Sequence, residues 1–370
     1  MKFSLQHTRH WLPGVVFVAA LLTTAAQAGS IKPKATFTVD VPQQSRDVNR
    51  RGQDGIEYVR PGLVAVWYSE KTNDGELSRR DRLSPTDPWQ LKMKLVNTTD
   101  GTVQHTLQWP TRKHSSAFVL ADSGNPVLLT GPVVHCFDPD FQQLNTFAVR
   151  DADEPKEVRL LRASPGGKVV WIVEGSDSTF ATPLNSETCA AGPTLVEQRP
   201  DATISGSDSM LTETNAKQVG LWSRKTGWKV LYNSECCLSN ARFLAQNFIG
   251  VTRLDLDMRR HFLILNLNGE LLLDDVMEAG YQFGGIITSA DGKTAAVVFA
   301  QRDISAIETG IEINNTRAKA AFYDLEKQKK IAHLDLNIAG DHLFGLAIAP
   351  DSSQFALLDG TKLLVYDLSR

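Results

Sequence analysis

Along most of this chain, apolar residues occur in short runs that alternate with polar positions, and the period of an amphipathic helix is nearly absent. The runs are separated by Gly, Asp, Asn, Pro and Ser, which is typical of short β-strands joined by tight turns. Three segments share one order of strand, turn and strand: ASPGGKVVWIV from Ala163, TSADGKTAAVV from Thr288 and IAPDSSQFALL from Ile348. The pattern predicts an all-β fold built from a repeated hairpin.

The turns of this hairpin recur at a regular spacing. Seven of them can be placed along the chain, near Gly62, Gly124, Gly166, Ser207, Asn247, Gly292 and Ser352. The middle steps are 42, 41, 40 and 45 residues long, and a four-stranded propeller blade takes about 40–45 residues. The first and last steps, of 62 and 60 residues, indicate inserted loops. Seven turns therefore predict a seven-bladed β-propeller.

Two repeats also end alike, in Phe322-Tyr-Asp-Leu and Val365-Tyr-Asp-Leu, 43 residues apart. A Ser-Pro-Asp-Gly-Lys type of turn followed by a Tyr-Asp-Leu strand resembles the WD40-like and related repeats of bacterial secreted β-propellers, including the YVTN type. The resemblance covers essentially the whole chain after residue 28 and is clearest in the third, sixth and seventh repeats. The Gly-His and Trp-Asp dipeptides of true WD40 repeats are missing. The resemblance implies the same propeller fold.

The last repeat contains too few strands for a complete blade. Strands are predicted at 344–349, 355–358 and 362–367, and three strands would leave a row of unpaired backbone groups at the sheet edge. Residues 34–41 alternate, precede the first blade and are needed by no other blade. We expect this N-terminal strand to complete the last blade and close the ring. The alternative is an N-terminal tail that alternates by chance.

The first 28 residues have the pattern of a secretory signal peptide. Lys2 and Arg9 are followed by an apolar run from Val15 to Leu22, which is shorter than the ~20 residues that span a membrane. Ala26-Gln27-Ala28 then provides a small-residue cleavage site. We expect cleavage there, leaving residues 29–370 as one propeller domain, periplasmic or extracellular and without a membrane span. The alternative is an uncleaved N-terminal anchor.

Composition and charge narrow the range of partners. The formal net charge is −3, from 39 Lys and Arg against 42 Asp and Glu, so no basic excess is present for a nucleic-acid backbone. We therefore expect no nucleic-acid partner, and we expect a monomer. Tryptophans recur on the strands of the early blades and predict packing between blades rather than a ligand platform.

Two long connections predict where a partner binds. In a blade with strands a to d, the b–c and d–a connections lie on one rim, here called the top rim, and the a–b and c–d connections lie on the bottom rim. The b–c connections of blades 1 and 6, at 70–88 and 301–317, are long, and only blade 7 separates them. One is basic and the other is acidic, which predicts a charged groove between them. The candidate binding residues are Arg79, Arg80, Arg82, Glu308 and Glu312. Alternatively, each connection is a solvated hairpin extension, or the two pair with each other.

The four cysteines are divided between the rims. Cys236 and Cys237 are expected at the top rim, whereas Cys136 and Cys189 are expected at the bottom. A bond between opposite rims would exceed the ~7 Å Cα separation that a disulfide allows. Rim placement therefore favours a vicinal Cys236–Cys237 disulfide, with Cys136 and Cys189 paired or free. The alternative is that all four are reduced. No zinc-type spacing with histidine partners is present, so no metal is expected.

No nucleophile elbow, H-E-x-x-H motif or P-loop occurs in the sequence, and no cofactor is expected. The first functional hypothesis is therefore an exported, non-catalytic propeller that binds or scaffolds a peptide, a glycan or an envelope protein. The alternative is a propeller enzyme, a lactonase-like hydrolase or a lyase, with its site in the axial funnel. Carboxylates converging on the axis would favour the enzyme, and an apolar or plugged channel would favour the binder.

Overall fold

The structure is a computed structural model. The residues it describes are 31–41, 54–71, 89–111, 116–121, 124–130, 133–149, 158–165, 169–174, 179–197, 205–207, 210–235, 237–307, 310–339 and 344–368. All regular elements in these ranges are strands: β1 (Ala35–Thr38), β2 (Asp54–Arg60), β3 (Leu63–Lys71), β4 (Trp89–Asn97), β5 (Val103–Thr111), β6 (Ser116–Leu120), β7 (Pro126–Thr130), β8 (Val133–Phe137), β9 (Gln143–Ala148), β10 (Val158–Ala163), β11 (Val169–Glu174), β12 (Thr179–Asn185), β13 (Leu195–Glu197), β14 (Ser205–Gly206), β15 (Met210–Thr214), β16 (Gln218–Ser223), β17 (Gly227–Asn233), β18 (Leu238–Ala245), β19 (Phe248–Leu254), β20 (Arg260–Asn266), β21 (Leu271–Val276), β22 (Gln282–Thr288), β23 (Thr294–Ile307), β24 (Gly310–Asp324), β25 (Lys329–Ala339), β26 (Phe344–Ile348), β27 (Gln354–Asp359) and β28 (Lys362–Asp367).

The strands form seven antiparallel sheets of four strands each. Blades 1 to 6 are the consecutive sets β2–β5, β6–β9, β10–β13, β14–β17, β18–β21 and β22–β25. The first strand of each blade contacts the first strand of the next, and β26 of blade 7 contacts β2 of blade 1. The ring is therefore closed around an axis lined by first strands, and the predicted seven-bladed propeller is confirmed.

The last blade is completed from the other end of the chain. Its strand order is β1-β28-β27-β26, and β1 pairs antiparallel with β28 from Ala35 opposite Val365 to Thr38 opposite Lys362. Beyond β1, Val39 and Val41 are buried in an apolar cluster with residues of blades 1 and 7. The predicted closure by the N-terminal strand is confirmed. It joins blade 7 to blade 1 through both backbone pairing and core packing.

Six of the seven predicted turn residues lie between the first and second strands of their blades, and the seventh, Gly166, lies outside the described residues. Gly62, Gly124 and Gly292 have φ of 81°, 82° and 66°, a left-handed conformation that glycine adopts without a Cβ clash. In blade 7 the same place is taken by Ser352 at φ 58°, whose buried hydroxyl donates a hydrogen bond to Asp291 Oδ1 at 2.6 Å. These turns fix where each inner strand ends, and therefore the height at which its side chains face the axis.

Aromatic side chains connect neighbouring blades. The rings of Trp67 in blade 1 and Phe118 in blade 2 lie 5.1 Å apart, and those of Phe322 in blade 6 and Phe355 in blade 7 lie 4.4 Å apart. Trp171 Nε1 of blade 3 donates a hydrogen bond to Ser207 O at the first turn of blade 4, at 3.2 Å. Aromatic pairs at these distances add to the free energy of burial. The expected packing of tryptophans between blades is confirmed for these two.

The segment 301–317, apart from residues 308–309 outside the described part, is a hairpin extension rather than an irregular loop, which is the alternative interpretation that the sequence left open. Strands β23 and β24 continue their pairing to Ile307 opposite Gly310, and β25 follows as far as Ala339 opposite Asn315. The inner strand β22 pairs with β23 only as far as Ala300. Beyond this residue β23 and β24 extend past β22 by roughly 20 Å, at about 3.3 Å per residue. The ladder satisfies the backbone groups of this polar segment, so its polarity alone did not distinguish a loop from a strand extension.

No helix in the described part of the chain is long and apolar enough to cross a membrane.

Candidate functional site

The structure describes little of the predicted top-rim groove. Of its residues, Glu312 lies on β24, where its backbone pairs with Ser305 on β23. The others lie outside the described residues: Arg79, Arg80, Arg82 and Glu308. The groove therefore stays a prediction, although the extended hairpin of blade 6 replaces the acidic loop that was to form one side of it.

A disulfide joins the second and third blades. Cys136 on β8 bonds to Cys189, which follows β12, and their Cα atoms are 5.8 Å apart. Both cysteines are buried in the apolar cluster between the two blades. The pairing of these two bottom-rim cysteines, which the sequence left open, is present in the structure.

The predicted vicinal disulfide is not found in the structure. Cys237 is a free, exposed thiol with φ of 64°, and Cys236 lies outside the described residues. The carbonyl of Cys237 accepts a hydrogen bond from Leu254 N at 3.1 Å. Residue 237 lies directly before β18, whose pairing with β19 begins at Leu238 opposite Arg253. Rim placement predicted which cysteines share a rim, but it could not predict this local backbone conformation.

A short top-rim turn in blade 5 exposes two large apolar side chains. It connects β19 to β20, and Leu256 and Met258 within it are 88% and 64% exposed. Asp257 lies between them and forms an ion pair with Arg259 at 3.0 Å. Leaving such a side chain in water forgoes about 1.5–3 kcal/mol of burial free energy. The turn therefore has the composition of a protein contact, with an apolar centre and a charged edge.

A charged network beneath this turn holds it in one conformation. His261 is 8% exposed, and its Nδ1 lies 2.6 Å from Asp274 Oδ1 while its Nε2 lies 3.1 Å from Asp255 Oδ2. Arg253 Nη2 donates to Asp274 Oδ2 at 3.0 Å. Asp255 also accepts hydrogen bonds from the backbone N–H groups of Arg259, at its Oδ1, and of Met258, at its carbonyl. The apolar side chains are therefore presented on a preorganised support.

The same contacts act on the carboxyl group of Asp255. Burial would raise its pKa, but the hydrogen bond from His261, the Arg259 N–H and the charges of both side chains outweigh it and lower the pKa. The ionised form of Asp255 is thereby favoured, which keeps it an acceptor for the turn.

A cavity of about 330 Å³ lies on the propeller axis. Among the described residues, first strands of blades 1, 2, 3, 5, 6 and 7 line it, and so do the first turns of blades 3, 6 and 7. Its apolar lining residues include Phe118, Leu161, Phe243, Ile286 and Ile348. Because turn residues at the bottom rim form part of its wall, the cavity extends toward the rim opposite the blade-5 turn.

Three charged side chains share this cavity. Glu57, Arg162 and Arg242 come from blades 1, 3 and 5. Arg242 Nη1 donates a hydrogen bond to the carbonyl of Ile286, while its buried Nε has no hydrogen-bond partner among the described residues. The cavity thus contains two guanidinium groups and one carboxyl group, and it is neither the carboxylate cluster nor the apolar plug that the sequence argument considered.

Burial dominates the acid–base behaviour of all three groups. It raises the pKa of Glu57 to about 7, against the opposing effects of the Tyr58 backbone hydrogen bond and the Arg242 charge. Burial lowers the pKa of Arg162 to about 10. Burial and the nearby charge of Arg162 also lower the pKa of Arg242, and Glu57 opposes this. Each charge is therefore poorly solvated, and the two cations repel each other.

Sequence reasoning missed these three residues, although a signal for them exists. Glu57 and Arg242 each lie five residues before the inner turn of their blade, and Arg162 lies four residues before its own. Similar distances from equivalent turns place them at similar height on the first strands of blades 1, 3 and 5. A charged residue at that position of a first strand was the available indication.

Comparison with known proteins shows the fold alone. No family model matches the chain, and no curated protein matches it by sequence. The WD40 repeats of RRP9 superpose with a TM-score of 0.57 at 10% identity, over 93% of this chain and 100% of that chain. A chain of the mitotic checkpoint complex gives 0.52 at 14% identity, over 99% and 100%. U3-55K gives 0.54 at 10% identity, over 91% and 100%. The chain is similar to WD40 β-propeller domains in architecture, and it is itself a seven-bladed all-β propeller.

Proposed function

We propose that this chain is an exported, non-catalytic β-propeller that binds a protein of the cell envelope through its top rim. The observation that carries the proposal is the blade-5 turn, which exposes Leu256 and Met258 above a fixed charged network. Two adjacent aliphatic side chains favour an apolar pocket on a protein or peptide over the polar surface of a glycan. The alternative of a propeller enzyme stays a hypothesis.

The energetics of the turn suit a binding anchor. Burying Leu256 and Met258 against a partner would contribute about 1.5–3 kcal/mol for each side chain. Because Asp255 and His261 already hold the turn, binding orders few additional torsions, which reduces its entropic cost. Asp257, between the two apolar residues, and Arg259, directly after them, are 76% and 50% exposed and would select a partner with complementary charges.

Similarity to solved propellers is consistent with this proposal. One of the structures with the same architecture belongs to an assembly, the mitotic checkpoint complex. At 14% identity this likeness concerns the fold, so it supports a binding scaffold in general without indicating which partner binds.

Site-specific photo-crosslinking tests the proposed surface. A photoreactive amino acid at Asp257 lies between the two apolar side chains, and one at Val230, which is 50% exposed on an outer strand, serves as the matched control. Irradiation of expressing cells is expected to join one envelope protein to position 257 and not to position 230, with the adduct identified by mass spectrometry. The same adduct at both positions would contradict a specific top-rim contact.

Affinity for the identified partner then tests the two anchors. The double variant Leu256→Ser with Met258→Ser is expected to bind at least tenfold more weakly, and its melting temperature should stay within about 2 °C because both side chains are exposed. The control is the double variant Leu144→Ser with Val230→Ser, two half-exposed residues on outer strands. Equal weakening in both variants would refute the assignment.

Export is tested separately. The N-terminus of protein purified from the periplasmic or culture fraction is expected to begin at Gly29. Retention of residues 1–28 on the exported protein would contradict a cleaved signal peptide.

A further inference from the structure

We propose that the axial cavity is a binding site for a small organic monocarboxylate, held between Arg162 and Arg242. This ligand is independent of the partner proposed for the top rim, because the cavity opens toward the bottom-rim turns. Nothing in the top-rim proposal requires the cavity to be occupied.

The first reason is an imbalance of charge. Two guanidinium groups and one carboxyl group face the same cavity, and arginine does not deprotonate under ordinary conditions. When Glu57 is ionised, one positive charge stays uncompensated among these groups. A buried cation without a partner is costly, and an anion between the arginines would neutralise it. A single negative charge on the ligand balances the site.

The second reason is unused hydrogen-bonding capacity. Arg242 uses Nη1 on the Ile286 carbonyl, and its buried Nε has no acceptor among the described residues. Arg162 brings a second guanidinium to the same cavity. A guanidinium presents its donors in a planar fork that matches a carboxylate. Two such groups from different blades can therefore bind the two oxygens of one carboxylate.

The third reason concerns the walls, which decide the ligand class. Phe118, Leu161, Phe243, Ile286 and Ile348 surround the charged groups with apolar surface. A volume of about 330 Å³ is at the low end of small-molecule sites. Inorganic phosphate would leave this apolar surface uncovered, whereas a carboxylate with a short hydrocarbon or aromatic body would cover it.

The bottom-rim end of the cavity is rigid. Ser289 and Ser352 both donate hydrogen bonds to Asp291 Oδ1, at 2.6 Å each, and Asp291 N donates to Pro350 O at 2.9 Å. These contacts connect the first turns of blades 6 and 7, and both turns contribute to the cavity wall. The ligand would therefore enter a preformed site.

Glu57 makes the affinity dependent on pH. Arg242 acts on its carboxyl group from blade 5, Tyr58 supplies a backbone hydrogen bond from its own strand, and Arg162 of blade 3 lines the same cavity. Protonation of Glu57 removes the negative charge that competes with the ligand for the arginines. Binding is therefore expected to tighten as the pH falls through about 7, provided that the ligand itself stays ionised.

The experiment uses the purified full-length mature protein with benzoate and butanoate as probes, and with phosphate and sulfate for comparison. Titration calorimetry and ligand-observed NMR are expected to give saturable binding of a carboxylate, with a Kd in the millimolar range or tighter. Arg162→Met should weaken this binding at least tenfold, whereas Arg260→Met should leave it unchanged. Arg260 is a matched control because its guanidinium binds the Tyr281 carbonyl, at 2.8 Å, outside the cavity.

Each outcome decides the proposal. Saturable, Arg162-dependent binding of benzoate or butanoate supports it. Binding of phosphate or sulfate without carboxylate binding would overturn the ligand class. If no probe binds saturably up to about 50 mM, a concentration well above a millimolar Kd, the site itself would be overturned. If Arg162→Met does not fold, Arg162→Lys keeps the charge but loses the fork, and it should still bind several-fold more weakly.

Discussion

At the scale of single residues, Glu57 dominates the expected response to pH. Its carboxyl group lies on the first strand of blade 1, in a cavity where burial raises its pKa to about 7 from 4.5 in the unfolded chain. Between these values the native state binds more protons than the unfolded state, so the free energy of unfolding falls as the pH rises. The loss of stability that comes from ionising buried Glu57 is absent below about pH 4.5 and complete above about pH 7.

Replacing Glu57 by glutamine should remove its contribution to the pH dependence of the free energy of unfolding. From pH 5 to pH 7.5, the wild-type protein is expected to lose about 2–3 kcal/mol of stability relative to Glu57→Gln, because the amide carries no ionisable proton. Urea unfolding of both proteins at the two pH values measures the difference, and other titrating groups cancel in the comparison. Parallel pH curves would show that Glu57 is not buried as the structure places it.

At the scale of elements, the Cys136–Cys189 disulfide stabilises the packing of blade 2 against blade 3, which are separate sheets. Cys136→Ser is expected to lower the free energy of unfolding by about 4 kcal/mol on a loop-entropy argument, since 53 residues separate the cysteines. Urea unfolding with and without a reductant measures this loss, and the reductant should have little effect on the variant. Cys237→Ser is the control, because its thiol is free and exposed. Equal loss in both variants would contradict the pairing.

The predicted binding arginines of the top-rim connection 70–88 allow a second test at this scale. If Arg79, Arg80 and Arg82 bind the partner, their triple replacement by alanine should reduce capture of the crosslinked protein at least tenfold with an unchanged melting temperature. If they bind Glu308 or Glu312 within the chain, the triple variant should instead melt earlier and bind normally. Undiminished capture with normal melting would place the partner contact elsewhere on the rim.

At the scale of the whole molecule, ring closure depends on eleven N-terminal residues, 31–41. Deleting them would expose the edge of β28 and remove Val39 and Val41 from the cluster that joins blades 7 and 1. We expect the melting temperature to fall by more than 10 °C, because about 4–8 °C accompanies each kcal/mol in a small domain and somewhat less in a larger one. Differential scanning calorimetry measures the change.

Lys34→Ala is the control for this deletion. It removes only the ion pair with Asp367, at 3.0 Å, in which both side chains are more than half exposed. Exposed pairs contribute about 0–1 kcal/mol, so the shift should be within about 2 °C. A deletion variant that melts like the wild type would mean that the ring does not need this strand.

The sequence by itself determined the architecture, because a propeller repeats one local pattern. Turns such as Gly62 and Gly292 mark each blade, and the missing strand of the last blade indicated its replacement from the N-terminus. These inferences require only alternation, turn chemistry and the need to pair backbone edges, all of which are written in neighbouring residues.

Only the tertiary structure decided which side chains meet. Glu57, Arg162 and Arg242 are distant along the chain and converge because three first strands face one axis. Cys189 reaches Cys136 because blades 2 and 3 pack together, whereas Cys237 is a free, exposed thiol. Such contacts depend on distances across the ring, which a repeat pattern does not encode. The fold follows from local periodicity, whereas the charged cavity follows from the geometry of closure.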